Sequence, residues 1–318
     1  MNKKEIAQLK NVILEYNRKP ELSPAFDKLL DGYIKDGKYM SIEKLQVLRN
    51  DIIQQLVSYA NTYKISNVCV GISGGIDSAL TAALFKEAGW EVTGVVMPIH
   101  QKPEETERGI EVCESRGLNF EYIDLSTAYD SMVSFYMDND VDYNDEDTKE
   151  QLMRKGNIRA RLRMMTLYNL ASKLGGCVAS TDNFSELAAG FWTLHGDVGD
   201  ISPIQALTKS WEVPALAEHL GVPQSVVDAI PTDGLGISNS DEDQFGFSYL
   251  EFDIALFALM RGGVVLSELE EPDKNIIDAV SEKVRSTTYK RANPYNVLHP
   301  IDSSRYDDLT KLDIYLRS

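Results

Sequence analysis

The sequence predicts an α/β protein: a doubly wound parallel sheet with flanking helices, preceded by additional helices at the N-terminus. Three observations support this prediction. Hydrophobic residues make up 43% of the 318 residues, which is typical of a globular chain. From Asn67 onwards, short apolar runs alternate with segments of helical periodicity. The order of these segments is strand, helix, strand, helix, strand, which is typical of a parallel sheet.

The elements follow one another in this order. Residues up to about Lys64 are expected to be helical, with a break between Pro20 and Pro24. The run VCVGI predicts a buried strand, SALTAALFKEAG a helix that ends at Gly89, and VTGVVM a second strand. ETERGIEVCESRG then predicts a helix and FEYIDL a third strand.

A second unit follows in the same chain. NIRARLRMMTLYNLASKLGG predicts a long helix with a glycine C-cap, CVAST a short strand, and SWEVPALAEHLG a helix. The segment from Pro231 to Asp243 is rich in Gly, Asp and Ser, and helical material follows it. We therefore expect an N-terminal helical extension over residues 1–64 and one α/β unit over residues 65–318. Ligands of such sheets bind beyond the carboxyl ends of strands, so the residues after VCVGI and CVAST are the first candidates.

The charge of the chain disfavours several classes of partner. Its 32 basic and 49 acidic residues give a net charge of −17, the opposite of a nucleic-acid-binding surface. No apolar run approaches the roughly 20 residues that a membrane span needs, and the N-terminus lacks a signal-peptide core, so a cytoplasmic protein is expected. Cys69, Cys113 and Cys177 are scattered in apolar stretches and form no CxxC pair, which predicts buried free thiols.

The acidic stretch DNDVDYNDED, residues 138–147, resembles a calcium loop only in part. Asp138, Asp140 and Asp142 stand at the first three ligand positions of an EF-hand. Tyr143 replaces the glycine at the sixth position, however, and Lys149 replaces the bidentate glutamate at the twelfth. We expect a solvated, mobile loop and no calcium site.

The motif SGGIDS, Ser73 to Ser78, lies between a strand and a helix. Its two glycines let the backbone turn tightly and direct N–H groups at an anion, and the positive end of the following helix adds to the attraction. The GxxxxGK[ST] pattern of P-loops is absent, which argues against γ-phosphate transfer. An alternative is that Asp77 only caps the helix and that Ser73 and Ser78 are turn residues. The position of the motif favours a phosphate site.

SGGIDS resembles the loop of the ATP pyrophosphatase superfamily, whose members split ATP into an adenylyl group and pyrophosphate. Further motifs narrow the resemblance to the NAD synthetase family, of the adenine nucleotide alpha hydrolase-like fold, from about residue 45 onwards. These motifs are GNIRARLRM (156–164), STDNFSELAAGFWTLHGD (180–197), SPIQALTKS (202–210), PTDGL (231–235), DEDQFGFSY (241–249) and TTYKR (287–291).

The resemblance implies an ATP-dependent amidation. Deamido-NAD carries a carboxylate, which ATP adenylylates before ammonia displaces AMP. The family's roles transfer to Asp77 and Lys209 as catalytic residues, with Asp77 and Glu186 as ligands of Mg²⁺. The positions expected to bind ATP are Gly71, Ile72, Ser73, Gly74, Gly75, Ile76, Asp77, Ser78, Thr181, Lys209 and Thr232. Those expected to bind deamido-NAD are Arg161, Asp200, Tyr289 and Lys290.

The sequence departs from the family pattern at two places. Leu194 stands where many members have lysine, so a cationic contact is lost or is supplied elsewhere, for example by His195. Tyr289 replaces a histidine before Lys290, which retains the charge and leaves a phenol that can stack or hydrogen-bond.

The resemblance also implies a nitrogen source and an assembly. Only about 65 residues precede the first predicted strand, too few for the glutaminase domain of glutamine-dependent members, so we expect free ammonia to be used unless a separate glutaminase subunit docks. Family members are homodimers, and a homodimer is expected here.

Two other interpretations remain at this point. One is another amide- or thioamide-forming enzyme of the superfamily, such as a GMP synthetase-like or tRNA thiolase-like protein, although no reactive cysteine pair or basic face indicates a thiolase. The other is a nucleotide-binding regulator without turnover. A regulator needs no machinery for releasing pyrophosphate, so SGGIDS, Glu186 and Lys209 argue against it.

Overall fold

A computed structural model describes residues 1–140, 142–144, 146, 148–230, 242, 246–261 and 269–292. Its sheet has four parallel strands in the order β3-β2-β1-β4. The strands are β1 (Asn67–Gly71), β2 (Glu91–Val96), β3 (Asn119–Tyr122) and β4 (Cys177–Val178).

The strand order turns back at the central strand. From β1 the chain moves outwards to β2 and β3, and it returns to pair β4 with the other side of β1, where Cys69 lies between Thr93 and Val178. The doubly wound parallel sheet predicted from the sequence is confirmed. A crevice opens at such a switch point beyond the carboxyl ends of the strands. The two segments that reach it are those following β1 and β4.

The fourth strand is shorter than the run CVAST suggests. Beyond Val178, Ala179 forms an isolated parallel bridge with Ile201, and the Ser180 N–H donates to the Ile201 carbonyl oxygen at 2.8 Å. The backbone therefore leaves β1 after two paired residues, and the polar residues that follow enter the crevice.

Three helices precede the sheet: α1 (Lys3–Tyr16), α2 (Pro24–Lys35) and α3 (Ile42–Tyr63). The break between the first two lies where the prolines predicted it. Asn2 and Glu5 form a capping box at the start of α1, and the Ser23 hydroxyl caps α2 with Pro24 in its first turn.

Four helices alternate with the strands: α4 (Ile76–Glu87), α5 (Pro103–Ser115), α6 (Ser126–Asn139) and α7 (Lys149–Leu174). α7 begins eight residues before the predicted Asn157, because Thr148 caps it by accepting a hydrogen bond from the Gln151 N–H. The helix begins earlier than predicted because its cap, Thr148, is a polar residue that precedes the apolar pattern used for the prediction.

The acidic stretch before α7 is only partly solvated. Tyr143 is buried, and the Arg154 guanidinium lies 4.6 Å from its ring centroid. Arg154 also pairs with Asp140, and Gln151 donates to the Asp142 carbonyl oxygen at 2.6 Å. The expectation of a solvated loop is therefore wrong for Tyr143, which packs against α7, whereas Asp142 is exposed as expected. A cation–aromatic contact, which sequence composition does not reveal, holds Tyr143 against α7.

The remaining described helices are α8 (Phe184–Ala189), α9 (Glu212–His219), α10 (Gln224–Val227), α11 (Tyr249–Arg261), α12 (Asp273–Ser286) and α13 (Thr288–Arg291). Most of the predicted segment from 231 to 243 lies outside the described residues.

Hydrophobic packing joins the N-terminal helices to the α/β unit. Ile13 and Phe26 belong to the same buried cluster as Leu80, Trp211 and Phe252. A second cluster lies on the opposite face of the sheet, under α6 and α7. Within the described part of the chain, no helix is both long enough and apolar enough to cross a membrane.

Candidate functional site

The crevice at the switch point is a cavity of about 580 Å³. Its wall includes the loop after β1, the segment from β4 into α8, and part of α7 and α13. Most of the residues proposed from the sequence line it, namely Gly71, Ile72, Ser73, Gly74, Gly75, Ile76, Asp77, Ser78, Thr181, Glu186, Lys209, Tyr289 and Lys290. The fold therefore brings these distant positions into one site.

The loop after β1 is held by its own serines. The Ser73 and Ser78 hydroxyls are 3.2 Å apart, the Ser78 hydroxyl donates to the Gly75 carbonyl oxygen at 2.9 Å, and the Gly75 N–H donates to Ser73 Oγ at 3.2 Å. Gly75 is the N-cap of α4, with no side-chain cap, and Asp77 lies in the first turn. Asp77 is not the capping residue, and its carboxylate remains available for the cavity.

Gly74 is required by both conformation and space. Its φ of +82° lies in the region that favours glycine, and an added Cβ would overlap the Glu105 carbonyl oxygen and approach Gly109 N at 3.2 Å. The turn that presents the loop to the cavity therefore packs directly on the backbone of α5.

Three charged side chains meet beside this loop. The Lys209 ammonium pairs with Asp77 and lies 3.9 Å from Glu186 Oε1. Asn183 Nδ2 donates to Asp77 Oδ1 at 3.1 Å, and Asn183 and Glu186 form the capping box of α8. The Lys209 side chain is 8% exposed, so water screens this group weakly. The two carboxylates thus share one cation across elements far apart in the sequence.

The donor set suits a hard cation that keeps some of its other ligands. Asp77 and Glu186 supply carboxylate oxygens at the edge of the phosphate loop, and Mg²⁺ typically takes one or two carboxylates together with water and phosphate oxygens. Among the described residues, no group of three or more His, Cys, Asp or Glu side chains could hold a metal ion. The Asp77 and Glu186 carboxylates are a donor pair of the kind that Mg²⁺ takes together with phosphate oxygens.

Asp182 and Asp197 also line the cavity and were not singled out from the sequence. Asp182 accepts a hydrogen bond from Gln205 Nε2 at 2.6 Å, and burial raises its pKa, with Asp197 and Asp77 adding to the effect. Asp197 accepts from the Thr193 N–H at 2.5 Å, and its removal from water raises its pKa. Both stand inside the quoted motif STDNFSELAAGFWTLHGD, which is the signal that could have identified them.

Lys290 lies against the loop that follows α8. Its ammonium donates to the carbonyl oxygens of Gly190 at 2.7 Å and Trp192 at 2.5 Å, and lies 5.6 Å from the Trp192 ring centroid. Burial lowers its pKa, and Asp197 opposes that effect. His195, proposed as a substitute cation for the lysine missing at Leu194, is not part of the cavity wall, whereas Lys290 is.

Two of the predicted site residues that the structure describes, Arg161 and Asp200, do not line this wall. Arg161 donates from Nε to the Leu194 carbonyl oxygen at 3.2 Å and is exposed, whereas Arg163 lines the cavity. Asp200 lies outside the wall. Thr232 lies outside the described residues.

Both carboxylate oxygens of Asp200 are engaged by the protein. Oδ1 accepts from the Tyr168 hydroxyl and Oδ2 from the Val178 N–H, each at 2.8 Å. Burial and this carboxylate raise the pKa of Tyr168 to about 12. Asp200 therefore braces β4 against α7 in this structure, and its contact with substrate stays a prediction.

The three cysteines lie apart from this chemistry. All are buried and unbridged, and burial raises the pKa of the Cys69 thiol to about 11 and those of Cys113 and Cys177 to about 12. Because the thiolate is the nucleophilic form, none of them suits covalent catalysis.

Comparisons with known proteins point to one family. Residues 48–294 match the family model described as NAD synthase. The chain is 33% identical over 246 residues to the NH(3)-dependent NAD(+) synthetase of Finegoldia magna, an alignment that covers 77% of this chain and 92% of the relative.

Two solved structures have the same fold. The NH3-dependent NAD synthetase from Campylobacter jejuni aligns with a TM-score of 0.64 at 27% identity, covering 80% of this chain and 99% of that one. The NMN synthetase from Francisella tularensis aligns with a TM-score of 0.68 at 27% identity, covering 80% and 98%.

Proposed function

This chain belongs to the NAD synthase family, and we infer from that membership that it is an ammonia-dependent NAD synthetase. It is a ligase that uses ATP to convert the carboxylate of deamido-NAD into the amide of NAD. One observation carries the inference from family to chemistry: the SGGIDS loop and the group of Lys209, Asp77 and Glu186 line one cavity. The matched relatives favour this reaction over a GMP synthetase-like or thiolase-like one.

The reaction has two steps. A carboxylate oxygen of deamido-NAD first attacks the α-phosphorus of ATP, and the bond from that phosphorus to the bridging oxygen breaks to release pyrophosphate. The nitrogen of ammonia then attacks the carbonyl carbon of the acyl adenylate. The bond from that carbon to the AMP oxygen breaks, and the nitrogen loses a proton to give the amide.

The chain's own residues supply binding and charge. Backbone N–H groups of the loop and the N-terminus of α4 hold the phosphates of ATP. The Lys209 ammonium neutralises the charge that develops on the departing pyrophosphate, where a half-enclosed site makes such an interaction strong. Thr181, which lines the cavity beyond β4, contacts the nucleotide.

Asp77 and Glu186 are the residues that would hold Mg²⁺. When bound, the ion supplies charge neutralisation of the triphosphate. Because these two negative carboxylates lie beside the loop that receives the phosphates, we expect ATP to bind weakly unless Mg²⁺ accompanies it. Titration calorimetry with ATP, with Mg²⁺ and with chelator, tests this; an affinity independent of Mg²⁺ would contradict it.

Deamido-NAD is held by cationic and aromatic groups. We assign this role to Lys290 and Tyr289, which line the wall, and to Arg161, which lies outside it. Arg161→Met is expected to raise the KM for deamido-NAD with little change in the KM for ATP.

The proposal has three further parts: the protein is a homodimer, it uses free ammonia, and it acts in the cytoplasm. The edge strand β3 exposes Phe120 and Tyr122, and α7 exposes Met165, as a subunit interface requires. Analytical ultracentrifugation of the full chain tests the dimer, and cell fractionation tests the location. Turnover with ammonium but not with glutamine supports free ammonia as the nitrogen source.

The deciding assay mixes purified protein with deamido-NAD, ATP, Mg²⁺ and ammonium, and measures NAD, AMP and pyrophosphate. Equal amounts of the three products are expected. A parallel reaction offers nicotinate mononucleotide, because one structural neighbour is an NMN synthetase. If only the mononucleotide is amidated, the substrate is nicotinate mononucleotide and not deamido-NAD. AMP formed only with some other acceptor would overturn the proposed reaction.

Two conservative variants test the chemistry at the phosphate end. Asp77→Asn and Glu186→Gln keep the side-chain volume and remove one charge each, so we expect loss of pyrophosphate release in a protein that remains folded. Full activity in either variant would remove that residue from the proposed metal site.

A further inference from the structure

On the side away from the cavity, buried polar groups form hydrogen bonds with the segment that carries Lys209. Thr208 and Ser210, its two neighbours in the chain, are both buried. The Lys209 N–H donates to Ser185 Oγ at 3.0 Å. The main chain of the lysine is thereby tied to α8, the helix that carries Glu186.

Asp253, on α11, joins the two sides of this arrangement. It is fully buried, and its Oδ1 accepts a hydrogen bond from the Ser185 hydroxyl at 2.6 Å. Its Oδ2 accepts from the Ser210 N–H at 3.2 Å. One carboxylate therefore sets the separation between the two segments whose facing side chains, Lys209 and Glu186, meet in the cavity.

Residues of the N-terminal helical extension contact the same network at Ser210 and Trp211. Asn17 Nδ2 donates to the Ser210 carbonyl oxygen at 2.7 Å, and the Tyr39 hydroxyl is 3.4 Å from Ser210 Oγ. The Trp211 indole N–H donates to the Met40 carbonyl oxygen at 2.7 Å. These partners precede residue 48, where the match to the family model begins. The extension thus reaches the back of the site without lining the cavity described above.

We propose that Asp253 is a positioning residue for Lys209, and that the N-terminal helices complete the support on which it depends. By fixing Ser185 and Ser210, Asp253 directs the ammonium towards Asp77 and Glu186. The expected loss of kcat rests on the proposed function, whereas the expected displacement of the Lys209 side chain does not.

The size of the effect follows from the geometry. Asp253→Asn keeps the shape but replaces one acceptor oxygen with an NH₂ group, so the Ser185 hydroxyl or the Ser210 N–H loses its acceptor in a buried site. A displacement of a catalytic group by about 1 Å can cost about 100-fold in rate. We expect kcat to fall by about 10- to 100-fold and the KM for deamido-NAD to stay unchanged.

A second variant and a control separate the loss of positioning from a loss of folding. Ser185→Ala breaks the same link by removing one hydroxyl and serves if Asp253→Asn does not fold. Asp273→Asn is the matched control: Asp273 is also a buried aspartate that accepts from a serine hydroxyl, that of Ser23 at 2.5 Å, and it is placed elsewhere, at the start of α12.

The experiment records NMR spectra of the full chain containing lysine labelled with ¹³C at Cε, and Lys209→Arg assigns the Lys209 signal. We expect that signal to shift or broaden in Asp253→Asn and Ser185→Ala and to stay in place in Asp273→Asn. An unchanged Lys209 signal, or a fall in kcat that the control shares, would overturn the proposal. Because the signal does not depend on turnover, a wild-type protein that forms no NAD would overturn the proposed function alone.

Discussion

Replacing Gly74 with alanine tests whether the turn of the phosphate loop is dictated by its packing on α5. Gly74 has a φ of +82°, and an added Cβ would overlap the Glu105 carbonyl oxygen and lie 3.3 Å from Arg108 Cβ. Gly89 provides a matched comparison, since its φ is +77° and nothing lies within 4 Å of its added Cβ. Both substitutions place alanine in a left-handed backbone conformation, and only Gly74→Ala also makes the new Cβ overlap a neighbouring atom.

The magnitudes follow from these two terms. The left-handed conformation costs a non-glycine residue about 1–2 kcal/mol, so Gly89→Ala should lose that much unfolding free energy. Overpacking against backbone adds about 1–3 kcal/mol, so Gly74→Ala should lose about 2–5 kcal/mol. A typical domain is stable by about 5–15 kcal/mol, so Gly74→Ala is expected to remain folded.

Urea unfolding followed by circular dichroism measures the stability, and NAD formation measures the site. We expect Gly89→Ala to retain wild-type turnover and Gly74→Ala to lose about 100-fold, because the displaced N–H groups no longer face the phosphates. Equal stability of the two variants would refute the overlap with α5. Wild-type turnover in Gly74→Ala would refute the loop as the phosphate site.

Three further predictions concern Glu212, the cysteines and Asp200. Burial raises the pKa of Glu212 to about 8 from its ordinary 4.5, so the folded protein holds this proton longer than the unfolded chain does. The Glu212 contribution to stability should therefore be most favourable below the ordinary pKa and should fall as the pH rises to about 8, by up to about 1.4 kcal/mol per pH unit. Glu212→Gln should remove this part of the slope in urea titrations, and a slope parallel to that of the wild type would contradict the prediction. Ellman's reagent should leave the three buried cysteines untouched in the native protein and react with all of them in guanidinium, whereas native reactivity would show an exposed thiolate. Asp200→Asn should lower stability by about 0.5–1.5 kcal/mol, because an exposed carboxylate loses one of the two hydrogen bonds that it accepts from the Tyr168 hydroxyl and the Val178 N–H. The predicted contact with deamido-NAD should also raise the KM for that substrate, and an unchanged KM would contradict the contact.

The elements of the fold could be predicted because their signals are local. The strands and helices from residue 67 to 122 lie within about three residues of their predicted positions, since alternating apolar and helical patterns are properties of short windows. The boundaries that differ depend on particular contacts. β4 stops when Ala179 turns to Ile201, and α7 starts where Thr148 caps it.

The arginines of α7 show the limit of such patterns. Residues two apart on a helix point to nearly opposite sides, so Arg161 and Arg163 cannot share one face. Helical spacing alone does not say which face meets the cavity. The packing of α7 on β1 and β4 decides it and places Arg163 in the wall.

The sequence by itself determined the parallel α/β architecture, the phosphate loop and, through its motifs, the family. Only the tertiary structure brought Lys209 between Asp77 and Glu186, turned Asp182 into the cavity, and set residues 17 and 39 against Ser210. The reason is physical. Loop geometry and periodicity arise from neighbouring residues, whereas the meeting of charges separated by up to 132 residues depends on how every intervening element packs.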